Sequence, residues 1–207
     1  MSGEIVVPVL SYEDLRTRAD GFLAKFHPSG EIPVPIEEII EFQLGMDIVP
    51  LPGLKDLLDI DGFISGDLST ITVDEYIYSK VENRYRFTLA HEVGHSQLHQ
   101  GLYEGADFSS LDEWKAFVTG IPDDKHNWFE YQAYSFGGLV LVPKEPLLNE
   151  IRSKVKLLDG TGVSLEEHGD LAWEYICSDV AKSFSVSKAV IEKRVAKDRI
   201  KIEYGGK

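Results

Sequence analysis

Arg86 to His99 reads RFTLAHEVGHSQLH, and this stretch decides how the rest of the chain is organised. At its centre stands His91-Glu92-Val93-Gly94-His95. Residues four apart on an α-helix share one face a turn apart, so imidazoles at 91 and 95 can reach a single cation. Neutral imidazole nitrogen suits zinc, which in catalytic sites takes three protein ligands and leaves a fourth position for water. Glu92, next to His91, is placed to take a proton from that water and later pass it to a leaving amine. Phe87, Leu89, Ala90, Val93 and Leu98 surround the histidines with the apolar surface that a buried active-site helix requires. Gly94 is a poor helix former, costing roughly 0.5–1 kcal/mol against alanine. Its presence predicts a close approach, either by another segment or by the metal sphere.

A third ligand must follow the motif, and the acids and histidines available are His99, Glu104, Asp107, Asp112, Glu113, Asp123, Asp124, His126 and Glu130. His99 lies about 12 Å along the helix axis from His91, too far to share one ion. The extended spacing with a third histidine ten residues after the first falls on Gly101, which excludes that class. Asp123 and Asp124 sit in a polar stretch and are read as facing solvent. Glu130 opens an apolar helix, EYQAYSFGGLVLV, whose Ala133, Gly137 and Gly138 permit close packing on another helix. A charge leading such a face is costly unless it is paired or bound to metal. The competing reading is a helix-start glutamate favoured by the dipole.

These two segments, RFTLAHEVGHSQLH and EYQAYSFGGLVLVP from Glu130 to Pro143, resemble the ImmA/IrrE family of bacterial metallopeptidases. Carried over position by position, the resemblance implies His91 and His95 as zinc ligands, Glu130 as the third ligand and Glu92 as the catalytic acid/base. It also implies a substrate class, helix-turn-helix repressors, that nothing in the composition shows. The preceding DGFISGDLSTITVD matches the strand pair that leads into the family's active-site helix, while Gln100 to Asn127 looks like a variable insertion. The chain departs from the family in two places, with Tyr134 where an asparagine is common and Gly137 where an alanine is common. Packing or substrate contacts near these positions are therefore expected to differ.

Working outward, Ser11 and Asp14 are placed as a capping box for a helix over Tyr12 to Phe26. A second helix is predicted over Pro35 to Leu44 with Gly45 as its stop, and Met46 to Leu51 reads as a strand. Asp61 to Asp74 reads as a hairpin: Phe63 and Ile64, a turn at Gly66-Asp67, then Ile71 and Val73 alternating with Thr70, Thr72 and Asp74. A short helix is expected around Leu111 to Val118. Gly160 to Gly162 marks a boundary, giving a metallopeptidase domain over 1–160 and a helical element over 161–207. The expected class is α+β: a zincin-like domain whose small antiparallel sheet packs on the active-site helix, followed by a helix-turn-helix-like tail.

Composition limits the function. The 207 residues carry 35 acids against 21 Lys and Arg, a net charge of −14, which argues against a surface built as a whole for nucleic acid. Residues 180–207 are nevertheless +5 while the remainder is −19. Asp179 to Val195 reads as helix, tight turn, helix, with Ala181, Phe184, Val186, Val190 and Val195 inward and Lys188, Lys193 and Arg194 on the second helix. Packing on the body or on a partner is the preferred reading of this tail, with DNA binding second. The single cysteine, Cys177, fits a reducing compartment and a core position. No run is long enough for a bilayer and Ile5 to Leu10 is not a secretory signal, so cytoplasm is expected. His27, His126 and His168 are read as surface residues, and Trp114, Trp128 and Trp173 as core or interface anchors. Tyr131, Tyr134 and His168 remain open as oxyanion stabilisers. The function expected is a zinc endopeptidase acting on a regulatory protein such as a helix-turn-helix repressor. The alternative is a zinc-containing regulator that grips a repressor or DNA without cutting it.

Overall fold

The computed structural model describes residues 7–103, 106, 108, 110–161 and 165–204. Among the earlier expectations, Glu104, Asp107, Gly162 and the first six residues lie outside them.

Helix α1 (Tyr12–Phe26) starts from the expected capping box: the Asp14 backbone N–H donates to Ser11 Oγ at 3.2 Å and Ser11 N–H to Asp14 Oδ2 at 2.9 Å. Helix α2 (Ile36–Glu38) runs on into a π-helical stretch, Ile39–Leu44, which ends at Gly45 in the left-handed conformation. Strand β1 (Asp47–Leu51), helix α3 (Leu54–Leu58), strands β2 (Gly62–Ile64) and β3 (Thr70–Asp74) and helix α4 (Glu75–Lys80) follow. The β2–β3 hairpin is antiparallel, as its alternation requires, with Phe63 opposite Thr72. The sheet as a whole is mixed: β1 lies parallel to β3, with Asp47 opposite Thr70, and the strand order is β1-β3-β2. An all-antiparallel sheet was expected, but β1 and β3 are not sequence neighbours and their direction is set by the path between them.

Asp74 is polar and yet buried, because it ends β3 and caps α4. Its Oδ1 accepts the backbone N–H of Tyr76 and Ile77 at 3.0 and 3.2 Å, and its Oδ2 accepts that of Lys55 at 3.0 Å. One carboxylate thereby joins β3, α3 and α4.

Helix α5 (Glu82–Leu98) is the centre of the molecule. Leu89, Ala90 and Val93 are fully buried, as are Ile64, Ile71 and Val73 of the sheet and Phe136 and Val140 of the helix crossing it. After α6 (Gln100–Tyr103) and α7 (Leu111–Thr119) comes that crossing helix, α8 (Asp123–Leu141). It begins at Asp123, so Glu130 does not open it: Asp123 and Asp124 are its first turn and Glu130 stands about two turns inside. The helix-start reading of Glu130 therefore falls away. The crossing of α5 and α8 is close because both helices are small there. A Cβ on Gly94 would meet the Ala133 carbonyl oxygen at 2.9 Å, and one on Gly137 would meet Ala90 and His91 backbone at 3.1 Å.

The chain ends with α9 (Lys144–Gly160), α10 (Leu165–Phe184, kinked at Gly169), α11 (Lys188–Lys197) and α12 (Ile200–Glu203). Ala181, Phe184, Val186, Val190 and Val195 are all buried at the α10–α11 turn, and Cys177 is buried in α10. Arg86 of α5 holds this turn to the body, donating to the Ser185 carbonyl at 3.2 Å and the Val34 carbonyl at 2.7 Å. Among the described residues, no helix is long and apolar enough to cross a membrane.

Candidate metal centre

On α5 the two imidazoles at 91 and 95 stand one turn apart, with their Nε2 atoms 3.0 Å from each other. From α8, Glu130 presents Oε2 at 3.2 Å from His91 Nε2 and Oε1 at 3.7 Å from His95 Nε2. The structure thus brings His91, His95 and Glu130 together, one donor atom from each lying within 4.8 Å of the others. The helix crossing makes this possible: Gly94 and Gly137 let α8 lie near enough for a carboxylate on one helix to meet histidines on the other.

A hydrogen-bonded relay behind His95 sets its proton. The Gln132 side-chain N–H donates to the Pro8 carbonyl at 2.5 Å, which turns Gln132 Oε1 toward His99 Nε2, 3.1 Å away. His99 Nε2 must then carry a hydrogen, leaving its Nδ1 as an acceptor for His95 Nδ1–H at 3.2 Å. His95 Nε2 is left with a bare lone pair, aimed at His91 and Glu130. Two imidazole nitrogens 3.0 Å apart beside a carboxylate can share a proton or surround a cation, and this set of two nitrogens and one carboxylate fits a metal ion.

The electrostatics agree. Burial, then His91, His99 and His126 nearby, push His95 well below the usual histidine range, which keeps it a neutral ligand. Burial disfavours charge on His91 too, but Glu130 and Glu92 outweigh it and raise its pKa. Glu130 is raised by burial and lowered more strongly by His91, which leaves it below the ordinary carboxylate range. Glu92 is pushed up to about 7, chiefly by burial, with Glu130 adding to this while His91 and the Ile64 backbone N–H oppose it. A carboxyl poised near neutrality can both accept and donate a proton.

The cleft over these groups is about 570 Å³ and is also lined by Asp61, Phe63, Tyr103, Trp114, His126 and Tyr134. Several of its residues escape sequence reasoning. His126, read as a surface residue, lines the cleft with Nε2 3.9 Å from Glu130 Oε1, and its position four residues before Glu130 was the available signal. His99 is fully inside the fold, where burial brings its pKa down to about 4. Tyr103 and Trp114 come from the stretch read as an insertion, and Trp114 packs on Phe63 of β2 with ring centroids 5.3 Å apart. Of the three oxyanion candidates, Tyr134 reaches the cleft, Tyr131 lines a neighbouring cavity and His168 is exposed on α10. His27 is not a surface residue, since it is buried with Nε2 2.7 Å from the Glu31 carbonyl oxygen.

A peptidase family described as the IrrE N-terminal-like domain matches residues 43–196. The chain belongs to this family. Its match runs from the first strand through both crossing helices and on into α11, so it includes His91, Glu92, His95 and Glu130. Membership carries the fold of a zincin-like metallopeptidase domain, and His91, His95 and Glu130 form a group of side chains that could hold a metal ion. No curated protein matches the chain. Among solved structures, a Mycobacterium tuberculosis transcriptional regulator is similar in fold, with a TM-score of 0.52 at 14% identity over 89% of this chain. The chain spans 46% of that regulator's length, so the likeness concerns the fold alone.

Proposed function

We propose that the protein is a zinc endopeptidase in which His91, His95 and Glu130 hold the ion and Glu92 moves the proton. The observation that carries this reading is the convergence of two imidazole nitrogens and one carboxylate, with a buried and near-neutral glutamate beside them. A structural zinc site fills its fourth position with a protein ligand and has no use for a buried base next to it. When bound, the ion supplies a Lewis acid that makes water a nucleophile near neutral pH and polarises the scissile carbonyl.

Everything else falls to the chain. Glu92 takes the proton of the attacking water and returns it to the departing amine, a double duty suited to a carboxyl poised near neutrality. The His99–Gln132–Pro8 relay holds His95 in the one tautomer that can ligate. His126 and Tyr134 are the polar groups on the cleft wall that can face developing negative charge on the carbonyl oxygen. The protein substrate of this reading is a regulatory protein such as a helix-turn-helix repressor, and the compartment is the cytoplasm.

DNA is the weaker alternative for the tail. Of the four cations of α11, Arg194 is buried and Lys188 is ion-paired with Glu174 and Glu192, which leaves only Lys193 and Lys197, and both of these lie against tyrosine rings. The deciding variant is Glu92→Gln. Cleavage of a protein substrate should fall by about 10²- to 10⁴-fold while zinc remains bound. Undiminished cleavage in a zinc-loaded variant would refute the hydrolytic assignment.

A further inference from the structure

Next to the catalytic cleft lies a second hollow of about 400 Å³, walled by Tyr12, Phe87, Tyr131 and Tyr134 and rimmed by Lys193 and Lys197. Phe87 and Tyr134 line both hollows, so a peptide crossing one reaches the other. We propose that this hollow is a specificity subsite that takes an Asp or Glu side chain of the substrate together with its apolar neighbour. The inference rests on the peptidase reading above and adds to it the kind of sequence the enzyme selects.

Charge is the main argument. Lys193 Nζ donates to Tyr134 Oη at 2.9 Å and stands 4.2 Å from that ring's centroid. Lys197 Nζ lies 5.4 Å from the Tyr131 ring and 5.7 Å from that of Tyr12. Among the described residues neither ammonium has a carboxylate partner, whereas Lys154, Lys182, Lys188 and Lys201 nearby each do. Behind the rim, Arg16 and Arg194 share one buried carboxylate, Asp198, which adds to the positive potential. The cations of the catalytic cleft itself, Lys55 and Arg84, are answered by Asp59 and Asp61. On a chain of net charge −14, this rim is where an acidic segment beside the metal centre meets attraction.

Shape supplies the rest. Aromatic rings make most of the wall, which suits an aliphatic or aromatic side chain with its backbone passing at the rim. A ring-stacked ammonium is held in place without a counter-ion and still attracts a carboxylate brought alongside it. A DNA phosphate would use the ammonium groups but leave the aromatic walls empty, so the peptide is the occupant the hollow fits.

The test uses zinc-loaded protein carrying Glu92→Gln, probed on an array of C-terminally amidated peptides varied at every position, together with a proteome-derived peptide library digested by the unaltered enzyme. Peptides pairing Asp or Glu with Leu, Phe or Tyr should bind best. The double charge reversal Lys193→Glu/Lys197→Glu should weaken them by about tenfold or more and move preference toward Lys and Arg. Both lysines are exposed, and the single Lys197→Gln serves as the second variant if the double one melts early. Binding without an acidic preference, a preference untouched by charge reversal, or displacement by a DNA duplex but not by acidic peptide would overturn the subsite. The two readings fail separately: an uncut library with acid-selective binding removes the hydrolysis and keeps the subsite, and cutting with no acidic preference does the reverse.

Discussion

At the scale of single residues, what matters is which imidazole nitrogen carries hydrogen. His95 can ligate through Nε2 only while its Nδ1 donates, and Nδ1 donates only because His99 accepts. His99 accepts because Gln132, anchored to the Pro8 carbonyl, takes its other hydrogen. Removing such an outer partner commonly lowers metal affinity by about 10- to 100-fold. We expect His99→Ala to do so in competition with a chelator, and Gln132→Ala to do the same less severely. Affinity equal to that of the unaltered protein would show that His95 needs no such support. The relay was not legible in the sequence. The sequence sets His99 aside as a ligand on axial distance, but its contacts with Gln132 from another helix and, through it, Pro8 from the N-terminal segment are ones that no local pattern encodes. Glu92, by contrast, was readable at once, because its relation to the two histidines is fixed by helix geometry alone.

Among the elements, the α5–α8 crossing governs the site. An alanine at position 94 would put its Cβ 2.9 Å from the Ala133 carbonyl oxygen, a backbone atom that cannot swing aside. Gly94→Ala should therefore cost about 1–3 kcal/mol as overpacking, despite alanine's better helix propensity, and should loosen metal binding by moving Glu130. Thermal melting and zinc titration together check this, and a more stable variant with full affinity would contradict it. The Asp74 cap makes a second element-level case. Burial raises the Asp74 carboxyl, but the backbone N–H groups of Lys55, Ile77, Tyr76 and Leu54 outweigh that and hold it below the usual range. A carboxyl depressed in the folded state stabilises fully above its unfolded pKa, and that contribution is lost as pH falls through the lower folded value. Asp74→Ala should cost about 1–2 kcal/mol near neutrality, with the difference from the unaltered protein shrinking in acid. A gap that stays constant down to the lowest pH at which both fold would refute the capping account. Helices α1, α5 and α8 could be found from sequence because apolar spacing, a capping box or the motif marks each one. Helix α9 was not named, although Leu147, Leu148, Ile151 and Val155 bury one face of it. The parallel pairing of β1 with β3 and the earlier start of α8 depend on tertiary contacts rather than on local signals.

For the whole molecule, the tail is tied to the body by charge as well as by packing. Asp198, after α11, accepts from Arg16 of α1 at 2.6 Å and lies 3.1 Å from Arg194, which also donates to Tyr12 Oη at 2.6 Å. Removing one partner from a buried ionic cluster strands the others, typically at about 3–5 kcal/mol. Asp198→Ala should therefore lower the melting temperature by far more than a surface change would. A shift no larger than that of an exposed Asp20→Ala control would show the cluster to be dispensable. Because the same carboxylate fastens the first helix and the eleventh, the molecule behaves like a strap closed by one buckle. A protease nick or a shortened clone near either margin should undo the opposite margin too, and the cleft wall formed by Tyr134 and Phe87 would slacken without any cut close to it.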